Sequence, residues 1–346
     1  MAMPLLPPDW ALPESSVTPA ATYWSRRRFL RVGGAAAMAV GVGLTGCRAN
    51  GHDTERGTAG QGQPARPAGP LDTIPETPTA DLYPAAPSPQ WAASERPLTD
   101  RTVAATHNNF YEFLLDKARV WENVGPFQAR PWTVEVTGEV ERPGIFDLDV
   151  LERELGLEER VYRLRCVEAW AMTVPWTGFP LHRLLDRVQP LSSGNYVRFV
   201  SFNRPEEAVG QRTQPWYPWP YYEALRMDEA RHDLTLMVTG VYGEPLPKQH
   251  GAPVRVVVPW KYGYKSPKSV VRIEVTRERP PIFWHDVTPD EYRFYSNVNP
   301  AVPHPRWSQA TEELIGEKRR VETQLLNGYA PWVGDLYTDE ILSTLS

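Results

Sequence analysis

Several stretches of the chain alternate apolar and polar residues with the period of a half-buried strand. Trp132 to Thr137 sets Trp, Val and Val against Thr, Glu and Thr. Tyr162 to Val167 alternates too, so Arg163, Arg165 and Val167 are expected on one face and Cys166 on the other. Tyr196 to Phe202, Leu234 to Tyr242 and Val256 to Trp260 read as further strands, and Val271, Ile273 and Val275 mark a final one. Helical spacing is rarer. Leu181, Leu184, Leu185 and Val188 stand at i, i+3, i+4 and i+7 behind Pro180, which predicts an amphipathic helix with its proline near the start. His182 falls on the polar side of that helix, where solvation is expected. Asp149 to Leu155 reads as a short helix and Gly138 to Gly144 as a turn. Ala104 to Leu115 holds Asn108-Asn109-Phe110-Tyr111-Glu112-Phe113, where an asparagine capping a helix start is the plain reading. Ser308 is expected to cap another short helix, and a last one is expected within residues 318–346. The pattern as a whole predicts an α+β fold, mixed and rich in loops.

Composition sharpens this picture. The chain has 36 prolines in 346 residues. Each removes a backbone donor and fixes φ, which argues against a helical bundle. Thirteen Trp and fifteen Tyr supply large buried areas and polar tips suited to lining a pocket. A net charge of -5 offers none of the basic excess that a nucleic-acid partner requires.

The N-terminal region has its own logic. Ser25-Arg26-Arg27-Arg28-Phe29-Leu30 precedes a charge-free run from Val32 to Thr45. The run falls short of the ~20 apolar residues of a membrane span. Paired arginines before a short apolar stretch read as a twin-arginine export signal, which assigns residues 1–47 to a leader and the export machinery to the partners. Leu44-Thr45-Gly46-Cys47 looks like a lipobox, so Cys47 is either lipidated as a membrane tether or discarded by cleavage. Residues 48–100 are rich in Gly, Pro, Ala, Ser and Thr and read as a linker or a strap over the body, with Trp91 marking where docking starts.

Past the leader there is no CxxC, HExxH, GxSxG or GxGxxG pattern, so side chains alone are poor candidates to carry chemistry. The remaining thiol, Cys166, stands out. A lone cysteine is usually a small buried hydrophobe. Here it sits in Arg163-Leu164-Arg165-Cys166-Val167-Glu168-Ala169-Trp170, and nearby positive charge favours the thiolate that ligates metals. One thiolate cannot hold a structural zinc, but it can anchor a metal whose other ligands come from a cofactor. Arg255, Lys261, Lys265 and Lys268 place four basic residues in fourteen, which suits an anion, although such a cluster is as often a solvated face. Gln214-Pro215-Trp216-Tyr217-Pro218-Trp219-Pro220-Tyr221-Tyr222 is aromatic enough for core packing or for the rim of a site that admits a sulfur side chain.

RLRCVEAW with AMTVPWTGFPLHRLL, together with NNFYEF, GAPVRVVVPWKYGYK, TRERPP, DEYRFYSNVNP and HPRWSQATE, resembles the periplasmic protein-methionine-sulfoxide reductase catalytic subunits. These are molybdopterin enzymes of the sulfite oxidase superfamily. The resemblance implies a sulfite-oxidase-type molybdopterin-binding fold. It implies a catalytic domain at 101–281 and a C-terminal extension at 282–346 packed on it. It implies Mo-molybdopterin as cofactor, with Cys166 as the metal ligand. Asn108, Tyr111, Glu112, Ser201, His250, Arg255, Ser266, Pro267 and Lys268 match cofactor-binding positions. Ser201 keeps a hydroxyl where the family often has Thr, whereas His250 departs from the usual Asn. The implied reaction reduces methionine sulfoxide in exported proteins by oxygen-atom transfer, which reverses a common oxidative lesion. Glu168, two residues from the ligand, is expected to relay protons. Electrons are expected from a haem-containing membrane subunit, and the implied location is the periplasm, with oxidised periplasmic proteins as substrates. Two other readings remain: sulfite oxidation, which needs a basic pocket at the metal, and a non-catalytic anion-binding lipoprotein.

Overall fold

Trp170–Pro180 is the central strand of the molecule, and every one of its residues is buried. Alternation gives no signal there, because a strand covered on both faces is apolar on both. The structure is a computed structural model that describes residue 67 and residues 69–343. The twin-arginine signal, Cys47 and the first part of the linker lie outside the described residues.

The strands form two sheets. β1 (Thr133–Gly138), β2 (Gly144–Asp147), β5 (Tyr196–Ser201), β6 (Tyr222–Arg226) and β10 (Val270–Thr276) make one, in the order β2-β1-β10-β5-β6. The other holds β3 (Glu158–Cys166), β4 (Trp170–Pro180), β7 (Leu236–Val241), β8 (Glu244–Pro245), β9 (Arg255–Val257), β11 (Thr311–Leu314) and β12 (Arg319–Glu322). Its path runs β12-β11-β4-β7-β8, with β3 on β4 and β9 on β7. One continuous set of buried apolar side chains joins the two, from Val136, Phe199 and Ile273 to Val174, Phe179 and Met237. Mixed sheets with short helices make the fold α+β.

The helices follow their sequence signals. α1 (Arg101–Ala105) is capped by Asp100, whose carboxylate accepts from the Thr102 and Val103 amides. α2 (Leu148–Leu155) is capped in the same way by Asp147. α3 (Leu181–Val188) buries Leu181, Leu184, Leu185 and Val188, the four residues its spacing selects. Gly178 fits a bulge between β4 and β7, since a Cβ there would lie 2.1 Å from the Met237 carbonyl oxygen.

Four expectations fail, each for a tertiary reason. Asn108 does not start a helix; it follows α1, and its side chain donates back to the Ala104 carbonyl at 3.2 Å. The strand expected at Val256–Trp260 is shorter, because the backbone turns after Val257. No helix begins at Ser308. Its hydroxyl accepts from the Ala310 amide, and the chain then enters β11, which pairs in parallel with β4. β10 is therefore not the last strand, since β11 and β12 follow.

The strap docks well before Trp91. The Thr73 hydroxyl donates to Gln249 at 2.6 Å, and the Tyr83 hydroxyl shares a hydrogen bond with Thr239 at 2.7 Å. The Ser88 amide donates to the Glu159 carbonyl on the outer edge of β3, and Trp91 Nε1 donates to Asp233 at 2.9 Å. That edge, open to another chain if left bare, is thus covered.

Candidate active site

β3 and β4 form an antiparallel hairpin whose last pair is Cys166 with Trp170. Val167, Glu168 and Ala169 make its three-residue loop. Ala169 takes φ 63°, and its amide donates to the Cys166 carbonyl at 3.1 Å. This is the short-loop geometry in which the last residue turns left-handed, usually as glycine. The hairpin sets the Cys166 thiol at its tip, only 4% exposed.

The immediate surroundings of that sulfur are polar. Asn109 Nδ2 donates to Sγ at 3.0 Å, and the Glu168 amide donates at 3.5 Å. Glu168 Oε2 lies 3.8 Å from the sulfur, accepts from Trp170 Nε1 at 3.3 Å and is paired with Lys117 Nζ at 2.8 Å. Burial works against the Glu168 carboxylate, but the Lys117 ammonium prevails and holds its pKa below the usual range. Burial pushes the Cys166 thiol up to about 12, and the Glu168 charge adds to this. Arg165 lowers it, as the sequence suggests, but burial outweighs that contribution. Arg165 points to the opposite face, where Nε donates to Glu312 at 2.6 Å, and Arg163 is bound to Glu95 and Gln324. Bonding to a cation at the site would favour the thiolate here.

The thiol borders a narrow cleft of about 50 Å³. Asn108, Cys166, His250, Arg255 and Lys268 line it, as expected from the sequence, together with His107, Asn109, Trp170, Trp176 and Gln249. Arg255 is buried over the Trp176 ring at 5.0 Å and donates to the carbonyls of His250 and Ser266. Among the described residues, neither Arg255 nor Lys268 has a carboxylate within salt-bridge distance. Burial pulls the Lys268 pKa down and the Glu112 pKa up, and each partly restores the charge of the other. Burial also drives His250 down to about 3, so its imidazole is neutral. Ser266 and Pro267 hold the turn behind the cleft: Ser266 Oγ accepts from the Val258 amide, and the Pro267 carbonyl accepts from Val256. Tyr111 and Ser201 are not in the lining. Tyr111 packs edge-on to Trp284 at 5.5 Å, and Ser201 is buried at the end of β5.

The polar atoms left over are informative. His107 Nε2, Asn108 Oδ1, Asn109 Oδ1, Trp176 Nε1 and Ser201 Oγ are buried with no hydrogen-bond partner in the protein. Such atoms cost free energy unless a ligand or water meets them. Two buried cations without a carboxylate in salt-bridge distance and a buried thiol share this lining, residue types that would suit a polar anionic cofactor with its metal on Cys166. Among the described residues, no three His, Cys, Asp or Glu side chains come together as a metal site, so the remaining ligands would come from that cofactor. Sequence reasoning missed Asn109, His107 and Lys117. The first two adjoin the Asn108 position in sequence, whereas Lys117 reaches Glu168 only through the fold.

The aromatic stretch at 214–222 sits beside this site. Tyr217 and Trp219 pack on Phe283, Tyr217 reaches Trp284, and Trp216 is 67% exposed. Tyr221 and Tyr222 are buried, so the stretch is part core and part surface.

Comparison with known proteins agrees with this chemistry. Residues 122–284 match the profile of the oxidoreductase molybdopterin-binding domain. That range contains Cys166, Glu168, Ser201, His250, Arg255 and Ser266–Lys268, while Asn108, Tyr111 and Glu112 precede it. The sulfane dehydrogenase SoxCD of Paracoccus pantotrophus is a distant structural neighbour, with 14% identity and a TM-score of 0.40 over 70% of this chain and 67% of its own. The protein-methionine-sulfoxide reductase catalytic subunit of Burkholderia mallei (strain ATCC 23344) is 46% identical over 332 residues, which is 94% of this chain and 93% of that one. At that identity over nearly the full length, the chain belongs to the family of protein-methionine-sulfoxide reductase catalytic subunits.

Proposed function

We propose that this protein reduces methionine sulfoxide, free or within exported proteins, to methionine, using Mo-molybdopterin seated in the cleft with its metal on Cys166. The observation that carries this is a buried thiol, the one cysteine among the described residues, in the same cleft lining as Arg255 and Lys268, which have no carboxylate in salt-bridge distance. When bound, the cofactor supplies two-electron oxygen-atom transfer, which no side chain here can perform. Overall, one sulfoxide, two protons and two electrons give one thioether and one water.

The chain's own residues have distinct tasks. Arg255, Lys268 and neutral His250 would hold the anionic end, and Asn108 would meet the polar ring atoms, with Glu112 and Ser201 outside the lining. The Asn109 amide steadies the sulfur through its hydrogen bond. Glu168 is a carboxylate held by Lys117, so the pair forms a charged polar route by which protons reach the site. Glu168→Gln is expected to lower the rate and alter its pH profile; an unchanged rate and profile would refute the relay. Trp216, Tyr217 and Trp284 form the rim that admits the methionyl side chain.

The remaining assignments are also proposals. Export by the twin-arginine route places the protein in the periplasm, with Cys47 as a tether if it is lipidated. A haem-containing membrane subunit supplies the electrons. Residues 101–281 form the catalytic domain, with 282–346 as an extension packed on it.

Sulfite oxidation is less well supported. It needs free cations at the metal, and Arg163 and Arg165 are buried in pairs on the far side of the hairpin. The test is oxidation of a reduced viologen dye on adding methionine sulfoxide, with protein from a host that makes molybdopterin. Turnover supports the proposal. A molybdenum-loaded protein that ignores methionine sulfoxide but oxidises sulfite would overturn it.

A further inference from the structure

The hairpin tip that carries Cys166 is not self-supporting. Its loop residue Ala169 is in the left-handed region, which is unfavourable for a residue with a Cβ. The Val167 carbonyl lies inside the loop, with no ladder partner. Two donors from another segment meet it: Trp307 Nε1 at 2.7 Å and Gln309 Nε2 at 2.8 Å. The Cys166 carbonyl accepts from the Arg165 guanidinium.

Gln309 links these contacts. It is fully buried, and both ends of its amide are used. While Nε2 donates to Val167, Oε1 accepts from Arg165 Nη2 at 2.8 Å. Glu312, also fully buried, fixes the same guanidinium at Nε and is reached from the strap by Arg96. The Glu313 amide donates to the Ala169 carbonyl and completes the grip. Every carbonyl from Cys166 to Ala169 except that of Glu168 is therefore bonded to this segment, directly or through Arg165.

We propose that Gln309 is a positioning residue for Cys166: by bridging Arg165 and the Val167 carbonyl, it holds the strained loop so that the thiol faces the cleft. It touches neither substrate nor cofactor and acts only through the hairpin. The catalytic consequence rests on the reductase reading above, whereas the geometric one does not.

The experiment has two arms. In the first, full-length protein is made without molybdopterin, and Cys166 alkylation by iodoacetamide is followed by peptide mass. Gln309→Met fills the space but loses both polar contacts. Alkylation is expected to quicken roughly tenfold, the opening that follows loss of one buried hydrogen bond. The control is Val197→Ala, a core truncation in the other sheet, compared at matched loss of melting temperature. Equal alkylation in the two variants would overturn the proposal. In the second arm, loaded enzyme is assayed with methionine sulfoxide. Gln309→Met is expected to lower kcat about tenfold while KM stays within about twofold. Unchanged kcat in a loaded, folded variant would also overturn it. If Gln309→Met fails to accumulate, Trp307→Phe removes one of the two donors and keeps the ring beside His304. It should quicken alkylation by a few-fold, and no change would count against the proposal. If wild-type protein shows no turnover, the alkylation arm still decides the geometry.

Discussion

At the residue scale, the buried Arg255 makes the clearest claim. Arg255 is buried with carbonyl partners only, and a guanidinium keeps its proton wherever it sits. In cofactor-free protein this charge is a cost; with an anion present it is a ligand. Arg255→Met should therefore stabilise the cofactor-free protein by about 1 kcal/mol or more while cutting molybdenum content about tenfold. Thermal melting and metal analysis of the purified variant check the two halves. His250 gives a pH test. Burial, with Arg255 and Lys268 close by, lowers its folded pKa to about 3. An unfolded histidine titrates near ~6.5. Below that value the unfolded chain takes up a proton that the folded one refuses, so stability falls as pH falls. The loss is about 1.4 kcal/mol per pH unit until the folded pKa is approached. His250→Asn should flatten the melting temperature of cofactor-free protein between about pH 6.5 and 5; an unchanged slope would assign the loss elsewhere. Much of this was legible from sequence. Cys166, Asn108, His250, Arg255 and Lys268 all line one cleft. The raised pKa of Cys166 was not legible, because it comes chiefly from a burial that the fold supplies.

At the element scale, the β3–β4 hairpin is the working part. Its loop needs φ 63° at Ala169, a position a β-branched residue tolerates poorly. Ala169→Val should cost about 2 kcal/mol and Ala169→Gly little, as measured by denaturant unfolding. Equal stability of the two would show that the turn is not under the stated constraint. Strands with one wet face, such as β1 and β5, were legible through their alternation. So was α3, whose four apolar residues all reach the core. β4 was invisible to alternation because both of its faces are buried. β11 was missed because Thr311–Leu314 is a strand through its pairing with β12 and β4; locally, Ser308 resembles a helix cap. Short-range patterns report an element's own period and say nothing about which distant partner will claim it.

At the scale of the whole molecule, sequence-remote segments converge on one hairpin. The strap covers the outer edge of β3, and residues 307–313 hold the loop. The buried Lys261–Glu229 pair, 2.7 Å apart and joined by the Tyr337 hydroxyl, secures the C-terminal region to the same core. Breaking such a pair is strongly destabilising, which makes the C-terminal segment part of the fold and not an ornament. The central claim is that all of this serves a metal-binding thiol in the lining of a cofactor cleft. The most direct measurement is viologen-dye oxidation driven by methionine sulfoxide, comparing wild-type and Cys166→Ser protein from a molybdopterin-producing host. The account predicts turnover in the wild type and a loss of at least about a thousandfold in Cys166→Ser, whose hydroxyl is a far poorer ligand for a soft metal centre. Equal turnover in the two proteins would contradict it.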